Sequence, residues 1–508
     1  MNPSIPEANP LAAGLDQERR SPPLTLVIFG ASGDLTARKI LPALERLARR
    51  RALDPSVTVV GVARSKMSDE EFRKLALDCV GDAGPRWRDL VSKARYVSGE
   101  YGHPDTFDKL KQILAELDST AGTGGNRVFY LATIPEVFSL VAETLGSHGL
   151  ATPEPGSFVR LVVEKPFGRD LRSAQELDRS IHEYFDESQV YRIDHYMGKE
   201  TVQNLLALRF ANAIFEPIWN RHFVDNIQVT VAESIGVEHR GGFYETAGAL
   251  RDIVQNHVMQ VLSLILMEPP SNVEAEGIRD EKVKALRSIE IPSHQNVLDR
   301  VVRGQYDSGW VAGIQVPGYR DEEGVAPDSQ TETFVAMQLA VDNWRWAGVP
   351  VFVRTGKYLP SRFTEVVLQF QKVPHLPFIG KDNQQSQMGT NSLVLRIQPD
   401  DGITLRFTAK VPGQAFRLRT VSMDFSYGGA FLEETPDAYE RLLLDAMVGD
   451  ATLFIRSDEV AQAWKVMEPV MASFADGSVP LSRYEAGSWG PPESDRLLAN
   501  VGRSWGAG

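Results

Sequence analysis

Residues 24–35 read LTLVIFGASGDL. Leu24–Phe29 is a short apolar run ending on Gly30, the pattern of a strand buried in a parallel sheet. A helical pattern follows over residues 34–50, with leucines at 41, 44 and 47. A strand that turns through glycines into a helix is where a nucleotide-binding α/β fold seats a pyrophosphate. The glycines let backbone approach the phosphates, and the helix start offers free N–H groups and a partial positive charge. Gly30 and Gly33 fall short of a full GxGxxG, and a plain strand–helix turn would read the same way. The position after the first strand favours the nucleotide.

Working outward, Val57–Val62 reads as a second strand and Arg95–Ser98 as a third. Residues 104–118 read as helix, Ser119–Asn126 as a loop, and Arg127–Ala132 and Phe158–Val163 as further strands. Residues 171–187 read as helix and Tyr191–Asp194 as strand. Strands alternating with helices predict a parallel, doubly wound sheet. After residue 198 the pattern changes. Helical stretches at 199–211 and 246–267 precede strand-like runs at 223–233, 333–341, 364–371, 391–399 and 403–409, the later ones without intervening helices. Helices return at 436–448 and 457–474. The expected fold is an α/β Rossmann-type coenzyme domain plus an α+β domain with a large, mainly antiparallel sheet. The expected divisions are a disordered tail over 1–23, a dinucleotide-binding domain over 24–197, and a substrate and oligomerisation domain over 198–508.

The chain has 508 residues, enough for more than one domain. Its formal net charge of −13 argues against nucleic acid, which needs a basic face. An anionic ligand would therefore need basic residues gathered locally. Cys79 is the single cysteine, so no internal disulfide or CxxC zinc cluster is possible. The longest strongly apolar run, Val258–Met267, is far short of the ~20 residues that span a bilayer. Arg19-Arg20 before an apolar run resembles a twin-arginine signal. That run is short and leads straight into Gly30, so a cytoplasmic, membrane-free protein is expected.

The second strand bears on the choice of nucleotide. NAD-binding folds place a carboxylate at its end for the ribose 2′-hydroxyl. Here it ends Ala63-Arg64-Ser65-Lys66, with two cations and no carboxylate. A guanidinium there suits a 2′-phosphate through paired, charge-assisted hydrogen bonds, which predicts NADP. A solvated surface arginine is the alternative.

Three further segments carry chemistry: Glu164-Lys165-Pro166-Phe167-Gly168, RIDHYMGK over Arg192–Lys199, and Arg251-Asp252-Ile253-Val254-Gln255-Asn256-His257. Dehydrogenation of an alcohol carbon needs a base, usually histidine, beside a hydride acceptor. A carboxylate behind the base fixes its tautomer. Asp194 and His195 are adjacent at a strand end, so their side chains are expected to diverge.

With the GASGDL loop, these segments resemble the glucose-6-phosphate dehydrogenase family, from about residue 24 to the late helices. RIDHYMGK is highly specific; EKP is shared with other sugar-oxidising dehydrogenases. The resemblance implies His257 as general base and Asp194 as its carboxylate partner. It implies His195, Tyr196 and Lys199 as holders of a 6-phosphate, and Lys165 between substrate and nicotinamide, with catalytic, substrate and coenzyme roles. Pro166 matches a proline whose preceding bond can be cis. Glu233, Asp252, Lys357 and Arg362 match substrate ligands. Gly30, Ala31, Ser32, Gly33, Asp34, Leu35, Arg64 and Tyr130 match the coenzyme site. No metal is expected.

Each residue also has a plain structural reading. His257 sits in an apolar helical run and could be a core histidine. Asp252 could be an exposed helix carboxylate, and Lys357 and Arg362 solvated loop charges. Asp252 and His257 are five apart, roughly 140° around an ideal helix, so contact of both with one sugar needs an approach across the helix or a local bend. Met197 stands where the family often has leucine, and Thr36 and Ala37 where it commonly has alanine and a basic residue. Arg354 matches a ligand of a second, structural NADP held by some members, whereas Phe363 stands where a lysine would help; the sequence makes no prediction of that second site.

The expected reaction is oxidation of glucose 6-phosphate at C1 to the δ-lactone with hydride transfer to NADP. This is the first step of the oxidative pentose phosphate pathway, in a homodimer or homotetramer, with the active site in the cleft between the domains. Two rivals are another Rossmann sugar oxidoreductase sharing only EKP, and an NADP-binding sensor or scaffold without turnover.

Overall fold

The computed structural model describes all residues except 1–18, 82, 376–389, 414–416, 428, 430–435 and 507–508. Most of the expected tail thus lies outside the described residues. Ser21, near its end, is buried and donates its N–H to the Ala52 carbonyl at 2.8 Å. The chain divides into two compact units. One comprises Met1–Lys199, Pro270–Asp280 and Pro436–Ala461; the other comprises Glu200–Pro269, Glu281–Thr435 and Gln462–Gly508.

The first unit is built on a parallel sheet of six strands: β1 (Thr25–Phe29), β2 (Thr58–Ala63), β3 (Arg95–Ser98), β4 (Arg127–Leu131), β5 (Val159–Val163) and β6 (Val190–Arg192). Their order is β3-β2-β1-β4-β5-β6. This is the doubly wound order, with the switch point at β1 beside β4. Every β1 side chain is fully buried; Leu26–Phe29 is apolar, and the Thr25 hydroxyl meets that of Thr58 at 3.0 Å. The late segment of this unit is fastened to the sheet by charge-assisted bonds. Arg160 donates to the carbonyls of Ala446 and Met447 at 2.9 and 2.6 Å.

The second unit carries a nine-stranded sheet. Its strands are β7 (Val224–Ala232), β8 (Val301–Asp307), β11 (Phe334–Leu339), β12 (Val351–Gly356), β13 (Phe363–Phe370), β14 (Ser392–Gln398), β15 (Gly402–Lys410), β16 (Leu418–Ser426) and β17 (Leu481–Glu485). A separate hairpin pairs β9 (Gly309–Val311) with β10 (Ile314–Val316). The order is β16-β15-β14-β13-β7-β12-β11-β8-β17. All neighbours are antiparallel except β7 with β12 and β8 with β17.

The apolar run Val258–Met267 becomes the buried helix Met259–Leu266. Its terminal carbonyls, which lack intrahelical donors, are met by three side chains. Arg209 donates to Leu264 at 2.7 Å and Met267 at 2.8 Å, Trp219 to Ile265 at 2.8 Å, and Trp346 to Leu266 at 3.0 Å. Arg209 is itself fully buried and paired with Glu216 at 3.1 Å. Burial lowers its guanidinium to about 10 against the charge of Glu216. Among the described residues no helix is long and apolar enough to cross a membrane.

The single helix expected over 246–267 is three pieces. The helix Gly241–Ala249 breaks at Gly248, which has φ 62° and ψ 173°. A π-helix then runs over Leu250–Val258 before the α-helix resumes. Backbone at those angles is open essentially to glycine alone.

Candidate active site

The coenzyme residues of the sequence reading all lie in the first unit. Gly30 follows β1 with φ +87°, and a Cβ there would stand 2.3 Å from the Ala132 carbonyl oxygen. Only glycine allows this crossing. Gly33 donates its N–H to the Gly30 carbonyl at 2.9 Å, and the Thr36 hydroxyl donates to the same oxygen at 3.0 Å. Thr36 therefore braces the loop from within. Another π-helix, Thr36–Ile40, opens the helix behind the loop, with Leu41 N–H reaching Thr36. Asp34 is exposed and paired with Arg38 at 2.6 Å.

Arg64 and Lys66 are exposed just past β2. The hydroxyls of Ser32 and Ser65 meet at 3.0 Å, joining the glycine loop to the segment that carries the two cations. A close-approach glycine loop tied to the segment after β2 fits a dinucleotide.

Tyr130 is fully buried on β4, and its hydroxyl donates to Glu164 at 2.6 Å. Tyr439 bonds the same carboxylate. Burial raises the Glu164 carboxyl above its usual range, against the two phenols and the charge of Lys165. Lys165 is half-buried, and the Lys165–Pro166 bond is cis.

RIDHYMGK begins in β6 and turns immediately. Asp194 is buried, and its carboxylate accepts the Tyr196 N–H at 2.9 Å. Met197 N–H returns to the Asp194 carbonyl at 3.0 Å and Lys199 N–H to that of Tyr196 at 3.1 Å. His195 and Lys199 are half-buried, and the His195 ring sits edge-on to Tyr196 at 5.0 Å. Gly198 lets the turn press against Ala438, whose Cβ would be 2.8 Å from a Cβ at this position.

Arg192, at the end of β6, is 4% exposed and bridges Asp178 at 2.6 Å and Glu187 at 2.7 Å. His182 bonds Glu187 at 2.9 Å. The hydrogen bonds from Asp178 and Glu187 raise the His182 imidazole to about 10. Glu187 falls to about 2; burial opposes this, and His182 and Arg192 overcome it. Asp178, His182 and Glu187 have the composition of a metal site. With the arginine and the imidazolium in place, their charges already balance.

Glu233, Asp252, His257, Lys357 and Arg362 lie in the second unit. Lys357 is 2% exposed, and its ammonium donates to Glu233 at 2.8 Å. It also stands 5.1 Å over the Tyr244 ring. Burial holds the Tyr244 phenol well above its usual range, with the charges of Asp252, Glu233 and Glu332 adding to the effect. His257 is 1% exposed, whereas Asp252 is half-buried. Both lie in the π-helix, whose i→i+5 ladder stacks residues five apart. Such a ladder sets the two more nearly on one face than an α-helix would. Arg362 is exposed in the loop before β13. Arg354 is wedged between the indoles of Trp489 and Trp505 at 4.8 and 4.4 Å. Burial lowers its guanidinium to about 10, against the charges of Asp495 and Glu365. Phe363 packs edge-on against Trp489 at 5.8 Å.

Tyr244, Glu332 and Tyr439 belong to no motif, and sequence reasoning missed them. Glu164 lay inside EKP and was the one legible neighbour.

Residues 27–204 match the family described as glucose-6-phosphate dehydrogenase, NAD binding domain, and residues 206–506 its C-terminal domain. Glucose-6-phosphate 1-dehydrogenase 2 of Mycobacterium bovis is 46% identical over 506 residues, 98% of this chain and 97% of the relative. Glucose-6-phosphate 1-dehydrogenase of Bacillus subtilis is 44% identical, over 96% of this chain and 99% of the relative. A solved glucose-6-phosphate dehydrogenase in complex with its substrate glucose-6-phosphate superposes with a TM-score of 0.87 at 34% identity, covering 96% of this chain and 99% of that one.

Proposed function

The chain belongs to the glucose-6-phosphate dehydrogenase family, and from that premise we propose that it oxidises C1 of glucose 6-phosphate to 6-phosphoglucono-δ-lactone with NADP as coenzyme. The observation that carries the substrate is the likeness, over 96% of the chain, to an enzyme solved with glucose 6-phosphate.

His257 takes the C1 hydroxyl proton as general base, and Asp194 orients the imidazole and stabilises the imidazolium. His195, Tyr196 and Lys199 hold the 6-phosphate, a dianion that an acidic protein must meet with local donors and positive charge. Lys357, Glu233 and Asp252 bind sugar hydroxyls, and Arg362 adds a cation nearby. Lys165 lies between sugar and nicotinamide. Ser32 and Gly30–Leu35 seat the pyrophosphate, and Arg64 meets the 2′-phosphate. Bound NADP supplies the hydride acceptor. The enzyme works in the cytoplasm as a homodimer or homotetramer, at the entry to the oxidative pentose phosphate pathway.

The test is NADP reduction with glucose 6-phosphate against other hexose phosphates. Rapid reduction with glucose 6-phosphate alone is expected. Turnover of a different sugar phosphate would reassign the substrate. NADP binding without reduction would instead favour the sensor reading.

A further inference from the structure

Glu332 lies just before β11, outside every motif that pointed to the site. Its carboxylate accepts the N–H of Leu250 at 3.1 Å, and its main-chain carbonyl accepts the N–H of Ala249 at 3.0 Å. These donors stand at the mouth of the π-helix, where a helix has no partners of its own. Gly248 makes room for the contact: a Cβ there would be 2.3 Å from the Glu332 carboxylate. The next residue reaches the opposite way. Thr333 accepts the Lys357 N–H on its carbonyl at 3.0 Å. The Thr333 hydroxyl meets that of Tyr484 at 3.1 Å, and Tyr484 donates to the Lys357 carbonyl at 2.7 Å. One dipeptide therefore grips both the start of the π-helix and the backbone of Lys357.

Glu332 is 5% exposed, and burial raises its carboxyl above the usual range, against backbone N–H bonds and the charges of Arg251 and Arg303. A buried carboxyl is costly to keep. Its contacts here are with the end of a helix that carries two site residues.

We propose that Glu332 is a positioning residue, which fixes the π-helix bearing Asp252 and His257 in register with Lys357. The role rests on the reading of His257 as base and of Asp252 and Lys357 as substrate ligands. Glu332 touches none of the reacting atoms. Its effect is geometric, and it concerns the sugar rather than the coenzyme.

The experiment compares E332A, E332Q and H257N in the full chain. Steady-state kinetics are run with glucose 6-phosphate, and NADP affinity is measured without sugar by quenching of protein fluorescence. In E332Q the amide oxygen still accepts the Leu250 N–H, so kcat and KM are expected within about threefold of wild type, the range of a conservative exchange. In E332A a displaced base and ligand are expected to lower kcat on the order of 10²-fold and raise KM for the sugar phosphate, with NADP affinity unchanged. If E332A does not fold, E332D takes its place. Its carboxylate is one methylene too short to reach Leu250, and the same loss is expected.

The proposal is overturned by a truncated variant that turns over like wild type, by E332Q as impaired as E332A, or by equal loss of NADP binding. H257N separates the two levels. An active H257N removes the reading of the base. A dead H257N beside a fully active E332A removes only the role of Glu332.

Discussion

Asp252 and His257 share one face of the π-helix Leu250–Val258, because an i→i+5 ladder stacks residues that an α-helix would set far apart. His257 is the more deeply placed of the two. Asp252→Ala is expected to raise KM for glucose 6-phosphate roughly ten- to a hundredfold, the cost of a charged hydrogen bond. NADP affinity measured without sugar should not move. An unchanged KM would return Asp252 to an ordinary helix carboxylate.

Lys199→Ala and His195→Ala test the phosphate turn. On the proposed reading each removes a donor from the 6-phosphate, at about 1.5–3 kcal/mol per charge-assisted bond. KM for glucose 6-phosphate should rise far more than KM for free glucose. Equal weakening of both sugars would show that neither residue reads the phosphate.

Arg64 is exposed just past β2, with Lys66 close by and no carboxylate from Ala63 to Lys66. The wild type should favour NADP over NAD in kcat/KM. Arg64→Ala should erode that preference through NADP by about 1.5–3 kcal/mol, and Arg64→Asp should go further by repelling the phosphate. Both coenzymes are measured at fixed ionic strength, because salt screens the pair. A coenzyme ratio untouched by Arg64→Ala would move the 2′-phosphate elsewhere.

The His182–Glu187–Arg192–Asp178 cluster predicts how stability follows pH. His182 is raised from 6.5 to about 10, so its contribution is complete below about 6.5 and fades as pH climbs through 10. Glu187 is lowered from 4.5 to about 2, so its contribution is complete above 4.5 and fades as pH falls through 2. The Tm deficit of His182→Asn should be largest at or below pH 6.5 and shrink toward pH 10. Thermal melts across that range decide it; a deficit that grows with pH would reverse the assignment.

Much of this architecture was legible from patterns that follow local physics. A both-sides-buried strand such as β1 has to be largely apolar, and the turn after it has to be glycine, so LTLVIFGASGDL could be read directly. RIDHYMGK and the segment Arg251–His257 were singled out through their resemblance to the glucose-6-phosphate dehydrogenase family, not through a local pattern. The break at Gly248 was not legible, since an isolated glycine in a helical pattern does not announce a π-helix. β16 was also missed, although Val421 to Ser426 alternates apolar and polar residues; both its faces are largely exposed, so it carries none of the buried apolar run that marked the other strands. Glu332 and Tyr439 reach the site's neighbours only through tertiary contacts, and their surrounding sequence carries no motif. The partnership of Lys357 with Glu233 lay equally beyond sequence reading, because the two residues meet only once β7 and β12 are paired.

The central claim is that this chain transfers hydride from C1 of glucose 6-phosphate with His257 as the base. The most direct measurement is NADP reduction by wild type, His257→Asn and Asp194→Asn at saturating sugar phosphate, with glucose 6-phosphate binding measured alongside. His257→Asn should bind substrate as wild type does while kcat falls ~10²–10⁴-fold, the usual share of a general base. Asp194→Asn should also slow kcat, through loss of the orienting carboxylate. Near-normal turnover by His257→Asn would contradict the account and remove histidine from the mechanism.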